Sequence, residues 1–360
     1  MSERGNKLNK LIDRYIGIPL TVPALLFRKL EKRRTNSYSK ISILCMGAIG
    51  DVLLLSGLIN ALRSKVPNAT IDLYTTKANA QAALLVSGVD NIHSFSLSQI
   101  KEMVQCMRSK KYDVLLDSTQ WARVGAIISA FSKALVTVGF ATAGQYRSLA
   151  YDRSVKHRND QHEWQNFMAL GQALLPDLDG RPYINAPTTD IDLPKQPYIV
   201  CHMWAAGSHS ESRRWGDDKW VELIGKLQGY TVVLSGSGAD REPTADFMAK
   251  YNLDCVNLAG ATSLAQMATL LSHASALVSV NTGTMHMGAL LNIPTVGIHG
   301  PTNPLRWGPV GDKTMAVSPE GAVMTLNLGF EEVHDSTFSR NVNVEAVLSA
   351  LSELGVQITA

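Results

Sequence analysis

An aspartate closes the turn GAIGD (47–51), where a short apolar run, Ile41–Cys45, gives way to the apolar-periodic stretch VLLLSGLINALRSKV. A strand that ends on a glycine turn and feeds a helix leaves free N–H groups and a dipole there, which favour negative charge. Gly47 and Gly50 permit the tight turn and let a ligand approach the backbone closely. From the local sequence alone, Asp51 reads first as a cap of that helix, with a ligand site at the turn as the alternative. The spacing G-x-x-G is not the dinucleotide fingerprint, and no acidic ribose partner ends the second strand. Both facts speak against a nicotinamide enzyme.

The segment SVNTGTMHMGALLNIPTVGIHGPTNPLRWGP (279–309) sets Thr282, Gly283 and Thr284 at another strand-to-helix turn. Hydroxyls and backbone N–H groups at such a turn can cradle a diphosphate. His286 falls in the first turn of the helix and can face the same ligand, although a lone helical histidine more often serves the structure. GPTNP is a further turn, with Arg306 and Trp307 behind it; Trp307 fits a core as well as a contact. In AAGSHSESRRWGDDKWVELI (205–224), Ser208 and His209 offer hydrogen bonds. Arg213 and Arg214 offer fixed charge to phosphate oxygens, unless the pair is simply solvated. SGSGADRE (235–242) brings Asp240 to a glycine-rich strand end, suited to a ribose hydroxyl pair, though Ser/Gly turns are common. No DxD-type acidic pair stands at an obvious strand end. This residue set calls for neither a divalent metal nor another cofactor.

Strands and helices must alternate to present these turns. ATIDLYTT, DVLLD (113–117) and ALVTVGF (134–140) read as further strands of the first half, with a helix near 97–110. The Pro-rich stretch NAPTTDIDLPKQP follows, and the pattern then restarts. Strands are expected at 197–203, in YTVVLSG, at 254–258, in ALVSV and in PTVGIHG, with helices at 217–228, 240–251, 263–273 and 284–292. Such alternation predicts an α/β fold with two Rossmann-like halves built on parallel sheets. Their ligands are expected at the carboxyl ends of the strands, with the halves facing across a cleft. The expected organisation is an N-terminal segment (1–40), a first domain (41–185), a linker (186–197) and a second domain (198–360).

Composition narrows the partners. The chain has 360 residues and a net charge of +3, but residues 1–40 hold ten Lys/Arg against three Asp/Glu, so the body carries −4. A mildly acidic body is a poor partner for nucleic acid. The excess sits beside YIGIPLTVPALLF (15–27), too short to span a bilayer, broken by Pro19 and Pro23, and followed by Arg28, Lys29, Lys32, Arg33 and Arg34. An apolar wedge next to a basic cluster suits peripheral attachment to the anionic inner face of the cytoplasmic membrane. The alternative is a helix packed on the body with its lysines in solvent. Four scattered cysteines, Cys45, Cys106, Cys201 and Cys255, read as reduced thiols of a cytosolic protein.

Three of these segments, GAIGDVLLLSGLINALR, RRWGDDKWVELI and NTGTMHMGALLNIPTVGIHGPTNPLRWGP, resemble glycosyltransferase family 9, the ADP-heptose:lipopolysaccharide heptosyltransferases. The resemblance covers roughly residues 41–350 and includes the order of the motifs. It implies the GT-B fold and an inverting transfer of a heptose from ADP-heptose to a lipopolysaccharide core sugar. It places the presumed general base at Asp51, a donor-diphosphate contact at Arg213, and the donor motif at Thr282, Gly283 and His286. The family usually has Asp before Thr-Gly; this chain has Asn281, which keeps the size and one acceptor but loses the charge. The first half is expected to bind the acceptor, with Gly50, Arg123, Arg147 and His162, and also His157 and Arg158, as candidate contacts. Two rivals remain: a transferase for another nucleotide sugar, and a non-catalytic saccharide-binding assembly subunit.

Overall fold

The computed structural model describes Tyr15, Ile16, Pro19, Pro23 and Arg28, and residues 38–120, 122–142, 145–206, 210–300, 302–319 and 341–358. The chain divides between Pro182 and Tyr183 into two units.

In the first unit the apolar runs become strands because a parallel sheet buries both faces, so continuous rather than alternating hydrophobicity marks them. They are β1 (Lys40–Cys45), β2 (Thr70–Thr76), β3 (Asn91–Phe95), β4 (Val114–Asp117), β5 (Val136–Ala141) and β6 (Arg153–Lys156). Their order is β3-β2-β1-β4-β5-β6, with every neighbouring pair parallel. The helices include α1 (Ile49–Leu54), α2 (Ser56–Lys65), α3 (Ile100–Lys110), α4 (Arg123–Phe131) and α5 (Glu163–Gln172).

The second unit repeats the plan with β7 (Tyr198–His202), β8 (Thr231–Ser235), β9 (Val256–Asn257), β10 (Ala276–Val280), β11 (Thr295–Ile298) and β12 (Thr314–Val317). The order β12-β11-β10-β7-β8-β9 is the same topology, again all parallel. Its helices include α6 (Asp217–Lys226), α7 (Arg241–Tyr251), α8 (Leu264–Ser272), α9 (Gly283–Leu290) and α10 (Val344–Glu353). In both sheets the connection reverses direction beside the first strand, between β1 and β4 and between β7 and β10. Such switch points open the crevices where α/β sheets take ligands.

One core cluster of the second unit joins β7, β8, β10 and β11 to α6 and α10. Trp215 and Trp220 meet edge to face there, 4.9 Å apart, and the Trp215 indole donates to the Val342 carbonyl (2.8 Å). The stretch expected as a linker lies along this unit. Thr269 Oγ1 donates to the Pro187 carbonyl (2.6 Å), and Gln196 Nε2 to the His273 carbonyl (2.9 Å).

Among the described residues no helix is long and apolar enough to cross a membrane. Most of the N-terminal wedge and basic cluster lies outside the described residues. Arg28 is among the described residues there, and it corrects one expectation. It is 3% exposed, ion-paired with Asp152, and donates to the carbonyls of Ala134 (2.7 Å) and Leu135 (3.0 Å). A guanidinium satisfied in this way is a peg in the first unit, not a charge offered to a leaflet. The four cysteines are free thiols, as their spacing suggested.

Candidate functional site

Asp51 sits at the third position of α1, behind Ala48 as N-cap. Its carboxylate accepts from the Ala48 N–H through Oδ2 and from Gln120 Nε2 through Oδ1 (2.8 Å). The capping reading therefore describes a real contact, made by reaching back one turn. That contact also fixes the direction of the side chain. Gly47 is required here, because a methyl group on it would overlap the Asp51 carboxylate. Asn79 holds the same turn from the other side, donating through Nδ2 to the carbonyls of Gly47 (2.9 Å) and Cys45 (3.3 Å). Gly50, a candidate acceptor contact, is buried in the first turn of α1.

The carboxyl edge of the second sheet gathers most of the expected donor residues. Trp215 anchors its loop in the core, and two residues earlier Arg213 turns back across that loop. Its guanidinium donates to the carbonyls of Asn281 (3.0 Å) and Ala206 (2.5 Å), which sets its charge beside the start of α9. Thr282 is the N-cap of α9, and its hydroxyl makes no capping bond to the helix. Gly283 opens the helix, and His286 is buried within it. Thr284 Oγ1 lies 3.3 Å from His202 Nε2, and His202 Nδ1 lies 2.9 Å from Ser235 Oγ. Burial pushes the His202 imidazole down to about 4, so it is neutral near pH 7 and positions hydroxyls rather than carrying charge. The Asn281 amide nitrogen lies 2.6 Å from Thr302 Oγ1 and 3.3 Å from His299 Nδ1.

Other candidate residues make contacts of their own. Arg214 packs over the Trp204 ring (5.0 Å) and pairs with Asp217 (3.2 Å), so the two neighbouring arginines do not do the same work. Asp240 closes a capping box, its Oδ2 accepting from the N–H (2.7 Å) and hydroxyl (2.6 Å) of Ser237. Arg306, behind the GPTNP turn, is fully buried. Ser208 and His209 lie outside the described residues.

The acceptor candidates form no surface cluster. Arg147 is 0% exposed and bonds through Nη2 to Asp117 (3.1 Å) and the Tyr151 hydroxyl (3.0 Å). Arg123 is buried too, donating to the Gln145 carbonyl (3.1 Å). The buried Asp117 carboxylate demands a counter-charge, and Arg147 supplies it. His157 is buried against Glu163 (2.8 Å) and stacked on Phe140, whereas His162 caps α5 by accepting from the Trp164 N–H (3.2 Å). Arg158 is exposed and paired with Asp160 (2.8 Å). Sequence reasoning also missed Gln120, Asn79 and His202. His202 alone left a trace, as the polar end of the apolar strand YIVCH.

Two Rossmann-like units of one topology, with phosphate-seeking groups at the carboxyl edge of the second, define a glycosyltransferase of GT-B architecture. The chain belongs to glycosyltransferase family 9 (heptosyltransferase), whose model matches residues 100–327. It is 24% identical over 332 residues to lipopolysaccharide heptosyltransferase 2 of Escherichia coli, covering 82% of this chain and 90% of that protein. It is also 24% identical over 315 residues to lipopolysaccharide heptosyltransferase 1 of Salmonella typhimurium, covering 80% and 97%. Its fold matches the structure of E. coli ADP-heptose lipopolysaccharide heptosyltransferase II, with a TM-score of 0.70 at 21% identity over 88% of this chain and 98% of that one. An E. coli heptosyltransferase solved with ADP gives 0.69 at 20% identity, over 88% and 99%.

Proposed function

We propose that this enzyme transfers a heptose, with inversion, from ADP-heptose to a sugar of a lipopolysaccharide core or related surface glycan. Family membership supports the reaction class. The observation that carries the donor half is the placement of Arg213 against the Asn281 carbonyl at the start of α9. In this reading the acceptor hydroxyl oxygen bonds to the anomeric carbon as the bond from that carbon to the diphosphate oxygen breaks. Asp51 takes the hydroxyl proton. The electron pair leaves with ADP, and the Arg213 guanidinium and the first N–H groups of α9 stabilise the charge that develops there. A fixed cation and helix amides supply the leaving-group stabilisation, so no step requires a metal.

The test is to incubate purified enzyme with ADP-heptose and heptose-free core lipopolysaccharide. The acceptor should gain one heptose by mass spectrometry for each ADP released. A second reading rests on Asn281, whose amide stands where the family usually has a carboxylate: the donor is then another nucleotide sugar. Turnover with a different nucleotide sugar and none with ADP-heptose would establish that reading. Saccharide binding without transfer or donor hydrolysis would favour the assembly-subunit rival.

We also propose that Lys29, Lys32, Arg33 and Arg34, without Arg28, hold the enzyme peripherally at the anionic inner face of the cytoplasmic membrane. Their density beside the apolar stretch supports this.

A further inference from the structure

We infer that Gln120 is the positioning residue of the base: its side-chain amide aims the Asp51 carboxylate, and turnover depends on that aim. The inference rests on Asp51 being the general base. Gln120 is buried, and its Nε2 donates to Asp51 Oδ1 over 2.8 Å. The other carboxylate oxygen is taken by the Ala48 N–H. One contact alone would leave the carboxylate free to pivot about its Cβ–Cγ bond, a torsion with broad minima. Donors on both oxygens fix its plane. A neutral amide suits this work, because it steadies the carboxylate without adding a charge of its own.

The amide is itself rigidly held. Gln120 follows β4, next to β1 across the first unit's switch point. Ser118 donates to the Leu44 carbonyl of β1 through both its N–H (3.0 Å) and its hydroxyl (2.8 Å). The Thr119 N–H donates to Asp117 Oδ1 (2.8 Å), and the Gln120 carbonyl accepts from Thr142 Oγ1 (3.3 Å). The loop bearing the donor and the turn bearing the acceptor are thus fastened to the same strand, on either side of Asp51. That is the rigid supporting shell a catalytic group needs.

The experiment compares Gln120→Met, Gln120→Glu, Asp51→Asn and the double variant Gln120→Met/Asp51→Asn, using ADP-heptose and heptose-free core lipopolysaccharide. Methionine keeps the length and removes the donor. It should lower kcat by about 10- to 100-fold, as expected for a misaimed group, and leave the KM for ADP-heptose within about twofold. In the Asp51→Asn background it should cost nothing further, since a residue acting through Asp51 has nothing left to act on. Glutamate at 120 donates only when protonated and otherwise repels Asp51. Its rate relative to wild type should therefore climb at least about tenfold as pH falls from about 8 to about 5.5. This ratio remains readable even if Gln120→Met does not fold.

Near-normal kcat in Gln120→Met, losses that multiply in the double variant, or a flat pH ratio for Gln120→Glu would each overturn the role of Gln120. If Asp51→Asn is slow in those cases, the base reading survives. Near-normal turnover in Asp51→Asn sinks the base assignment, and the role of Gln120 with it.

Discussion

Contacts to backbone carbonyls distinguish Arg213 from Arg214. The first leans on the Asn281 carbonyl at the start of α9, whereas the second stacks on Trp204. Arg213→Ala should weaken ADP binding by on the order of 1.5–3 kcal/mol, the value of a charge-assisted contact, measured by calorimetry. Unchanged affinity would remove Arg213 from the donor site. Asp51→Asn should leave the melting temperature nearly unchanged. The asparagine Oδ1 can accept from Ala48, and Gln120 can turn its amide to accept from the new NH₂ group. Its kcat with saturating donor should fall by about 10²–10⁴-fold. A rate within about threefold of wild type would leave Asp51 as a helix cap and nothing more. His202 offers a test in acid. Burial holds its imidazole at about 4, from 6.5, so below about pH 6.5 the unfolded chain binds a proton that the folded chain refuses. Stability should fall as pH drops from about 6.5 toward 4, by on the order of 3 kcal/mol in all from this group. His202→Gln should lose less melting temperature over that interval than wild type; an equal loss would show that the folded protein protonates His202 freely.

Elements were legible where hydrophobicity is continuous. β1, β2, β4, β5, β7, β8, β10 and β11 bury nearly every side chain, and each stands out as an apolar run. β6 did not, because its sequence RSVK is mostly exposed at the edge of the sheet, where charge guards against stray pairing. β3 and β12 are edge strands as well, and only partly buried. The site divides along similar lines. Asp51 and the Thr282–Thr284 turn are announced by local glycine and hydroxyl patterns. Nothing near Arg147 in sequence reveals that its partner is Asp117, thirty residues earlier in the chain. A buried arginine and a surface arginine look the same until the sheet is assembled. Glycines that serve packing are equally silent. Gly139 on β5 lies under the Tyr151 ring, which a methyl group would strike. Gly139→Ala should destabilise the protein by on the order of 1–3 kcal/mol through overpacking. Denaturant midpoints would show the loss, with ADP affinity preserved; an unchanged midpoint would mean the ring moves aside freely.

For the whole molecule, the division of charge between a basic segment and a mildly acidic body would make the proposed membrane association a matter of ionic strength. Full-length protein should sediment with anionic vesicles at low salt and be released as salt rises past the range where the Debye length is about 10 Å. Deleting residues 1–36 should abolish sedimentation. Failure of the intact protein to sediment at low salt would end the attachment proposal. Asp152→Asn gives a control, since it loosens the Arg28 peg without touching the basic residues that follow it.

That peg has a geometric consequence. The chain is fastened to the first unit at Arg28 and fastened again at Ser39, whose N–H bonds Asp113 (2.9 Å). Lys29 through Arg34 lie in sequence between these two attachments. Only eleven residue steps separate Arg28 from Ser39, at most about 40 Å of fully extended chain. Under the proposed attachment, any bilayer that these lysines and arginines touched would therefore lie close to the first unit, and the segment would orient the enzyme as well as hold it.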